Sequence, residues 1–248
     1  MQAIVLAAGS GRRLAPMGWD SPKCLLPVGG RTLLNALMDA VAAVGVSHLA
    51  VVVGYRKELI EQALGDCPVP ADIIVNRDYA DTNTIHSLWL AREHLGDGFL
   101  YFNADVLFDH RILALLLAER VSALAVDPRA CGDEEVKVIA GRDRRISRIG
   151  KALPPGDCFG EFVGIGRFQA SACGALLEAL QKYNELRRER RLFFESAVDD
   201  ILARHEFLAV PIGDYASVEI DAPEDYHRAQ ALWRGGRVQL APRSRPPG

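Results

Sequence analysis

The sequence predicts an α/β fold in which a mostly parallel sheet is covered by helices on both faces and carries a small antiparallel extension. Two observations lead to this prediction. Short apolar segments alternate with amphipathic helical segments through about the first 120 residues, which is typical of βαβ units. After that point, four strand-like segments follow one another closely, which favours antiparallel pairing on a parallel core.

The elements of the first half follow from the apolar periodicity and from the turn residues between them. A glycine-rich turn ends the first strand, and single glycines follow or precede several others. We predict strands over residues 2–7, 48–53, 72–75 and 98–103, and helices over residues 32–44, 55–64, 83–95 and 111–119.

The second half is predicted to begin with strands over residues 121–126, 135–140, 145–149 and 161–168. Helices over 171–186 and 193–205, and strands over 207–211 and 217–221, come next. Pro223 then opens a last helix, because proline suits a first helical turn. Residues 1–234 are expected to form one domain. The Gly-, Arg- and Pro-rich residues 235–248 are expected to form a disordered tail.

Composition and charge exclude several classes of protein. The 248 residues carry a formal net charge of −3 and are 49% hydrophobic, unlike a disordered chain or a dedicated nucleic-acid binder. The five cysteines form no CxxC pair, and His86, His94, His205 and His227 show no metal-ligand spacing, which argues against a zinc site. Without a visible leader or membrane-length segment, we expect a cytoplasmic protein.

The segment from Leu6 to Leu14 reads LAAGSGRRL and directly follows the first strand. In open α/β sheets, ligands bind beyond the carboxyl ends of the strands, where glycines let backbone N–H groups approach phosphate oxygens. Arg13 would add charge-assisted hydrogen bonds. The dinucleotide fingerprint fails because Leu14 replaces its third glycine, and Gly30-Arg31-Thr32 lacks the other residues of a Walker A loop. A simple tight turn remains the alternative.

The next segment, Pro22 to Val28 (PKCLLPV), combines with this loop into a longer pattern. Together they resemble the signature of nucleotidyltransferases that activate phosphorylated small molecules with an NTP. The resemblance implies a Rossmann-like three-layer sandwich of the nucleotide-diphospho-sugar transferase type. It implies Lys23 and Arg13 as catalytic residues. The residues implied to bind the nucleotide are Leu6, Ala7, Ala8, Gly9, Ser10, Gly11, Arg12, Arg13, Lys23, Asn83, Ser87 and Ala104.

Two acidic motifs extend the resemblance. Asp105 ends the strand-like segment FLYFNAD, and Glu219 and Asp221 lie in the segment VEIDAPED. By resemblance, Asp105 and Asp221 hold the catalytic divalent ion with support from Glu219. Mg²⁺ is the expected ion, with Mn²⁺ as an alternative, and Mg²⁺ prefers such hard oxygen ligands. From the residues alone, Asp105 and Asp221 could equally be helix caps or turn residues.

The middle of the chain resembles the CTP-using branch of this family, which contains phosphocholine and aminoethylphosphonate cytidylyltransferases. The segment TNTIHSLWLAR is similar to its nucleotide-binding helix start, although Thr84 replaces a usual asparagine and Asn83 could simply cap the helix. A cationic headgroup is recognised by aromatic faces and carboxylates. The residues implied to bind the acceptor are Lys137, Lys151, Glu161, Phe194, Glu195 and Asp199, with core packing or a solvated helix face as the alternative for the last three.

The predicted function is transfer of a cytidylyl group from CTP to a small acceptor, with release of pyrophosphate. Phosphocholine, phosphoethanolamine and 2-aminoethylphosphonate are the acceptors considered, and no nucleic acid or membrane partner is expected. The alternatives are a sugar-1-phosphate nucleotidylyltransferase that uses UTP, GTP or dTTP, a non-catalytic nucleotide-binding module and a Rossmann oxidoreductase. The oligomeric state is left open, with a homodimer among the alternatives.

Overall fold

The secondary structure follows the order predicted from the sequence. The computed structural model describes residues 1–244. The strands are β1 (Gln2–Ala7), β2 (Pro27–Val28), β3 (Arg31–Thr32), β4 (His48–Val53), β5 (Ala71–Val75), β6 (Phe99–Asn103), β7 (Val106–Phe108), β8 (Ser122–Asp127), β9 (Lys137–Ala140), β10 (Ile146–Gly150), β11 (Gly160–Phe168), β12 (Phe207–Pro211) and β13 (Ser217–Glu219). The helices are α1 (Leu33–Ala43), α2 (Lys57–Leu64), α3 (Thr84–Leu90), α4 (Ile112–Ala118), α5 (Ala170–Gln181), α6 (Glu195–Ile201) and α7 (Pro223–Arg234).

The centre of the molecule is a parallel sheet in the order β5–β4–β1–β6. Its strands are apolar almost throughout, because helices cover both faces and leave few positions in contact with water. Side chains alternate between the faces. Ala3 and Val5 of β1 pack into the core on one side, and Ile4 packs into the core on the other. This confirms the predicted parallel core.

The second half of the chain extends the sheet beyond β6. Strand β11 runs antiparallel to β6 and also pairs antiparallel with β8 and β9, while β10 pairs antiparallel with β9. Strand β12 adds to β8 in parallel. The pairing register of β11 with β8 shifts between Phe162 and Gly166, which marks a bulge. Antiparallel pairing on the parallel core is therefore confirmed.

Helices form the two outer layers of the sandwich. Apolar residues of α1, α2 and α4 pack against one face of the sheet, and those of α3, α5 and α6 pack against the other. A third, smaller core joins Leu14, Leu26, Val218, Ile220 and Ala229 beside the sheet. This core attaches α7 and the β7–β13 pair to the loops that follow β1. Within residues 1–244, no helix combines the length and apolar character needed to cross a bilayer.

The structure differs from the prediction of a disordered tail from residue 235 onward. Val238 and Ala241 are buried, the Gln239 amide donates to Asp109 Oδ2 at 2.9 Å, and the Ser244 amide donates to Asp39 Oδ1 at 2.7 Å. Two apolar side chains and two buried carboxylates are enough to attach this low-hydrophobicity segment to the domain. Residues 245–248 lie outside the described part of the chain.

Candidate active site

A cleft of about 560 Å³ opens at the carboxyl ends of the central parallel strands. Leu6 near the end of β1 and Asn103 at the end of β6 line this cleft, together with Gly9, Asn76 and Asp105 from the segments that follow β1, β5 and β6. Ligand sites of open α/β sheets lie at this edge. The strand order of the core therefore brings the glycine-rich loop after β1 and the Asp105 motif after β6 to the same cavity.

The glycine-rich loop is shaped by its two glycines. Gly11 has φ of +60°, a left-handed conformation that glycine adopts readily. A Cβ atom there would lie 2.5 Å from Cγ of Lys23, so the side chain of Lys23 passes directly against Gly11. Gly9 lines the cleft and has open space where a side chain would be, which leaves the loop backbone accessible to a ligand.

Lys23 occupies the centre of the site, on a single 3₁₀ turn from Lys23 to Leu25. Its Nζ forms ion pairs with Asp105 and with Asp221 Oδ1, the latter at 2.6 Å. Burial alone would lower the pKa of the Lys23 ammonium, but the two carboxylates outweigh burial and raise it. Arg13 reaches the other oxygen of Asp221 at 2.7 Å. Lys23 therefore carries a positive charge throughout the neutral range.

The three carboxylates come together through a small two-stranded sheet. Strand β13 pairs antiparallel with β7, and the Ile220 amide donates to the Asp105 carbonyl at 3.0 Å. Carboxylate oxygens of Asp105, Glu219 and Asp221 consequently lie within 4.8 Å of one another. Burial and then the charges of the two aspartates raise the pKa of Glu219 to about 8. These three oxygen donors fit a hard divalent cation such as Mg²⁺.

One end of the cleft is lined by polar groups around the start of α3. Asn83 caps α3 by accepting a hydrogen bond from the Thr84 amide at 2.8 Å, and it also lines the cleft. Ser87 accepts a hydrogen bond from Asn76 Nδ2 at 3.2 Å. The Thr84 hydroxyl accepts a hydrogen bond from the Phe194 amide at 2.9 Å. Thr84, which replaces the asparagine usual in the CTP-using branch, thus connects this end of the cleft to the start of α6.

The start of α6, which the Thr84 contact brings against this region, contains a buried carboxylate with an unpaired oxygen. Glu195 is only 4% exposed and lines the cleft, and Oε2 has no hydrogen-bond partner among the residues that the structure describes. Burial raises the pKa of Glu195 to about 7. Lys151 lies nearby, with its Nζ 4.6 Å from the centre of the Phe193 ring. An unpaired buried carboxylate is costly unless a ligand compensates it.

Glu161 also lines the cleft, but its carboxylate already has a cationic partner. Arg129 Nε donates to Glu161 Oε2 at 2.9 Å, and Arg129 also lies 3.6 Å from Asp127. Burial raises the pKa of Glu161 and the Arg129 charge opposes that rise, leaving the pKa above its usual value. At this end of the cleft, Glu195 is therefore more available than Glu161 to bind a positively charged group.

Three residues predicted to bind the acceptor lie elsewhere in the structure. Lys137 is 1% exposed, and its Nζ donates to the carbonyls of Asp133 and Glu135. Phe194 is fully buried against Tyr101 and Phe162, whereas its neighbour Phe193 lines the cleft.

Asp199 accepts a hydrogen bond from the Ile149 amide at 2.8 Å and pairs with Arg148, so it fastens α6 to β10. Lys137 and Asp199 thus form hydrogen bonds with the backbone, and Phe194 packs in the core.

The predicted nucleotide-binding residues divide in the same way. Leu6, Ala8, Gly9, Arg13, Lys23, Asn83 and Ser87 line the cleft. Five others do not line the cleft. These are Ala7, Ser10, Gly11, Arg12 and Ala104.

Several cleft residues were not predicted from the sequence. Asn76 directly follows β5, so the rule that ligands bind beyond the carboxyl ends of strands could have identified it. Tyr79, Thr82 and Arg129 follow β5 or β8 at greater distance, and Phe193 precedes α6. Thr82 opens the segment TNTIHSLWLAR and Phe193 stands next to the predicted Phe194, but no motif distinguishes Tyr79 and Arg129 from ordinary loop residues.

Comparisons with known proteins identify relatives of this chain. The CMP-5'-(3-aminopropyl)phosphonate synthase of Streptomyces rubellomurinus is 30% identical over an alignment of 254 positions, which covers 96% of this chain and 40% of that protein. The UTP–glucose-1-phosphate uridylyltransferase of Haloferax volcanii is 35% identical over 109 residues, or 44% of this chain and 45% of that protein. The chain matches less than half the length of each of these two curated relatives.

Among solved structures, the CTP:phosphocholine cytidylyltransferase of Streptococcus pneumoniae superimposes with a TM-score of 0.80 at 22% identity, covering 94% of this chain and 98% of that one. This likeness establishes the fold. The family model of the MobA-like NTP transferase domain matches residues 3–200, which include the glycine-rich loop, Lys23 and Asp105. The chain therefore belongs to the family of MobA-like NTP transferase domains.

Proposed function

We propose that this chain transfers a cytidylyl group from CTP to a small phosphate or phosphonate acceptor that carries a positively charged amine, and that pyrophosphate is released. The observation that carries the transfer reaction is the ion-paired cluster of Lys23, Asp105 and Asp221 beside the open backbone at Gly9. The cytidylyl group and the amine acceptor rest on the phosphonate relative and on the unpaired carboxylate of Glu195.

In the proposed reaction, an oxygen of the acceptor phosphate or phosphonate attacks the α-phosphorus of CTP in line with the departing pyrophosphate. The attacking oxygen is already anionic at neutral pH, so no general base is required. The protein contributes positioning and charge neutralisation. The loop backbone at Gly9 and the guanidinium of Arg13 bind the triphosphate, and Lys23 donates hydrogen bonds to the α-phosphate as its negative charge increases.

Asp105 and Asp221 would hold Mg²⁺, with Glu219 beside them. When bound, the ion supplies further neutralisation of the phosphate charges. Asn83 and Ser87 are placed to contact the nucleoside, and Lys151 to contact the acceptor's anionic group. Glu195 then pairs with the ammonium group of the acceptor, which compensates the cost of burying its carboxylate.

A pyrophosphate-release screen tests the substrate assignment. CTP, UTP, GTP and dTTP are each combined with phosphocholine, phosphoethanolamine, 2-aminoethylphosphonate and glucose 1-phosphate, in the presence of Mg²⁺. We expect turnover with CTP and an amine-bearing acceptor, with the CMP conjugate identified by ³¹P NMR. Turnover only with glucose 1-phosphate would instead support the sugar-phosphate alternative, and absence of turnover with all sixteen pairs would refute the proposal.

A further inference from the structure

Two histidines and an aspartate converge on the opposite edge of the sheet from the cleft. His48 begins β4, Asp72 is the second residue of β5, and His94 ends the 3₁₀ turn that precedes β6. The Nε2 atom of His48 lies 2.9 Å from Asp72 Oδ2, and the Nε2 atom of His94 lies 3.8 Å from the same oxygen. The two imidazole rings are nearly parallel, with centroids 6.0 Å apart.

The backbone holds these three residues in place. Asp72 is paired with Ala50 in the parallel β4–β5 register, so Asp72 and His48 lie on the same face of neighbouring strands. The third residue is attached separately, because Gln2 of β1 donates from Nε2 to the His94 carbonyl at 2.6 Å. The donor atoms therefore approach one another through three elements that the central sheet orders, and not through one flexible loop.

We propose that His48, Asp72 and His94 form a site for a divalent transition metal of the zinc type. Two imidazole nitrogens and one carboxylate oxygen are the ligands that Zn²⁺ and Co²⁺ accept, with water in the remaining position. Ligands at ordinary zinc distances are about 3.3 Å apart in a tetrahedron. The two histidine–aspartate separations of 2.9 and 3.8 Å bracket that value, and all three donor atoms lie within 4.8 Å of one another.

The site is accessible and separate from the cleft. The side chains are partly exposed, His48 by 33%, Asp72 by 57% and His94 by 21%, so an ion can enter from solvent. None of the three lines the cleft described above, within the residues that the structure describes. Mg²⁺ is not expected here, because it prefers all-oxygen ligands and retains its waters. The metal would join β4, β5 and the segment before β6, and would stabilise the fold.

The experiment is a titration of the full chain with Co²⁺ and with Zn²⁺, in buffer that contains excess Mg²⁺. Co²⁺ binding is followed by its visible absorption, Zn²⁺ binding by calorimetry, and stability by the thermal midpoint. We expect one equivalent of metal to bind and the midpoint to rise with metal concentration. His48→Ala, His94→Ala and Asp72→Asn should each weaken binding by about tenfold or more.

His205→Ala is the matched control, since it removes a histidine outside the cluster, and it should bind metal like the unchanged protein. Turnover of each variant in Mg²⁺ alone verifies that it folds. Binding that persists unchanged in the His48→Ala/His94→Ala double variant would overturn the proposal, because the metal would then be held by other groups such as thiols. Failure of the unchanged protein to bind either metal would overturn it as well.

Discussion

The two ends of the cleft are built in different ways. At the nucleotide end, the loop that follows β1 and the turn that carries Lys23 are close together in sequence, and Asp105 and Asp221 join them from two further motifs. The acceptor end is assembled from Lys151, Glu161, Phe193 and Glu195, which lie on separate elements of the antiparallel extension and the α5–α6 layer. A contiguous motif can be recognised in a sequence, whereas a site assembled by packing can be recognised only after the fold is known.

The charges of the two ends also differ. At the nucleotide end, Lys23 and Arg13 are already paired with carboxylates. At the acceptor end, Glu195 has an oxygen without a partner among residues 1–244. The first arrangement is balanced without a ligand, and the second is completed by one. We therefore expect substitutions at the nucleotide end to affect turnover and substitutions at the acceptor end to affect acceptor affinity.

The largest expected effect is at Lys23. Lys23→Ala removes the positive charge that would neutralise the α-phosphate, and we expect kcat to fall by about 100- to 1000-fold. Steady-state pyrophosphate release with CTP measures this loss, and circular dichroism verifies folding. Lys57→Ala is the control, because Lys57 pairs with Glu61 on the surface of α2 and should leave kcat unchanged. Near-normal turnover of Lys23→Ala would contradict the assignment of Lys23.

The next effect is at Gly11. Gly11→Ala places a Cβ against the Lys23 side chain in a backbone conformation with φ of +60°. We expect a destabilisation of about 1–2 kcal/mol from the left-handed backbone and a fall in kcat of about tenfold as Lys23 shifts. Thermal unfolding and kcat measure the two consequences separately.

Gly30→Ala is the matched control for the backbone cost. Gly30 also has a positive φ, of +77°, but a Cβ there would contact nothing within 4 Å. The two variants should share the backbone cost, Gly11→Ala should add the cost of displacing Lys23, and only Gly11→Ala should lose turnover. Equal losses of kcat in both variants would mean that Gly11 has no particular relation to Lys23.

Glu195 is expected to lower the free energy of unfolding while it increases affinity for the acceptor. Its folded-state pKa of about 7 is above the usual 4.5, so the ionised form destabilises the fold as pH rises from about 5 to 8. Glu195→Gln removes that cost, and we expect it to stabilise the chain by roughly 1–3 kcal/mol at pH 8 and little at pH 5. Urea unfolding at the two pH values measures this difference.

The same variant should bind the acceptor less well. We expect its KM for the amine-bearing acceptor to rise about tenfold at pH 8 with kcat nearly unchanged, because a neutral amide cannot pair with an ammonium group. In the unchanged protein, KM should fall as pH rises through 7, and in Glu195→Gln this fall should be smaller, because only the second ionisation of the acceptor's own phosphate contributes to it. A purely structural role for Glu195 would give the stability change without the change in KM.

Much of the fold was predictable because the apolar periodicity of the strands is strong. Strand β1 was predicted with its observed bounds, and so were β4 and β12. The site was less predictable. Asp105 and Asp221 were identified through their motifs, but Arg129 has no local signal and its place in the cleft depends on its pairing with Glu161 of β11. The tail from residue 235 was predicted to be disordered because it contains few apolar residues. Composition does not show that Val238 packs into the third core.

The smallest effects on turnover are expected at two lysines. Lys151 lines the cleft, whereas Lys137 is buried beside it. Lys151 lines the cleft and is expected to contact the acceptor, so Lys151→Ala should raise the acceptor KM by about tenfold without loss of stability. Lys137 is buried and donates to two carbonyls. Lys137→Met should therefore cost about 1–3 kcal/mol of unfolding free energy and leave the KM of the folded enzyme unchanged. If the Lys137→Met enzyme instead retained its stability and lost acceptor affinity, then Lys137 would turn into the cleft when substrate binds. The acceptor end would then be completed by a rearrangement of residues 133–137.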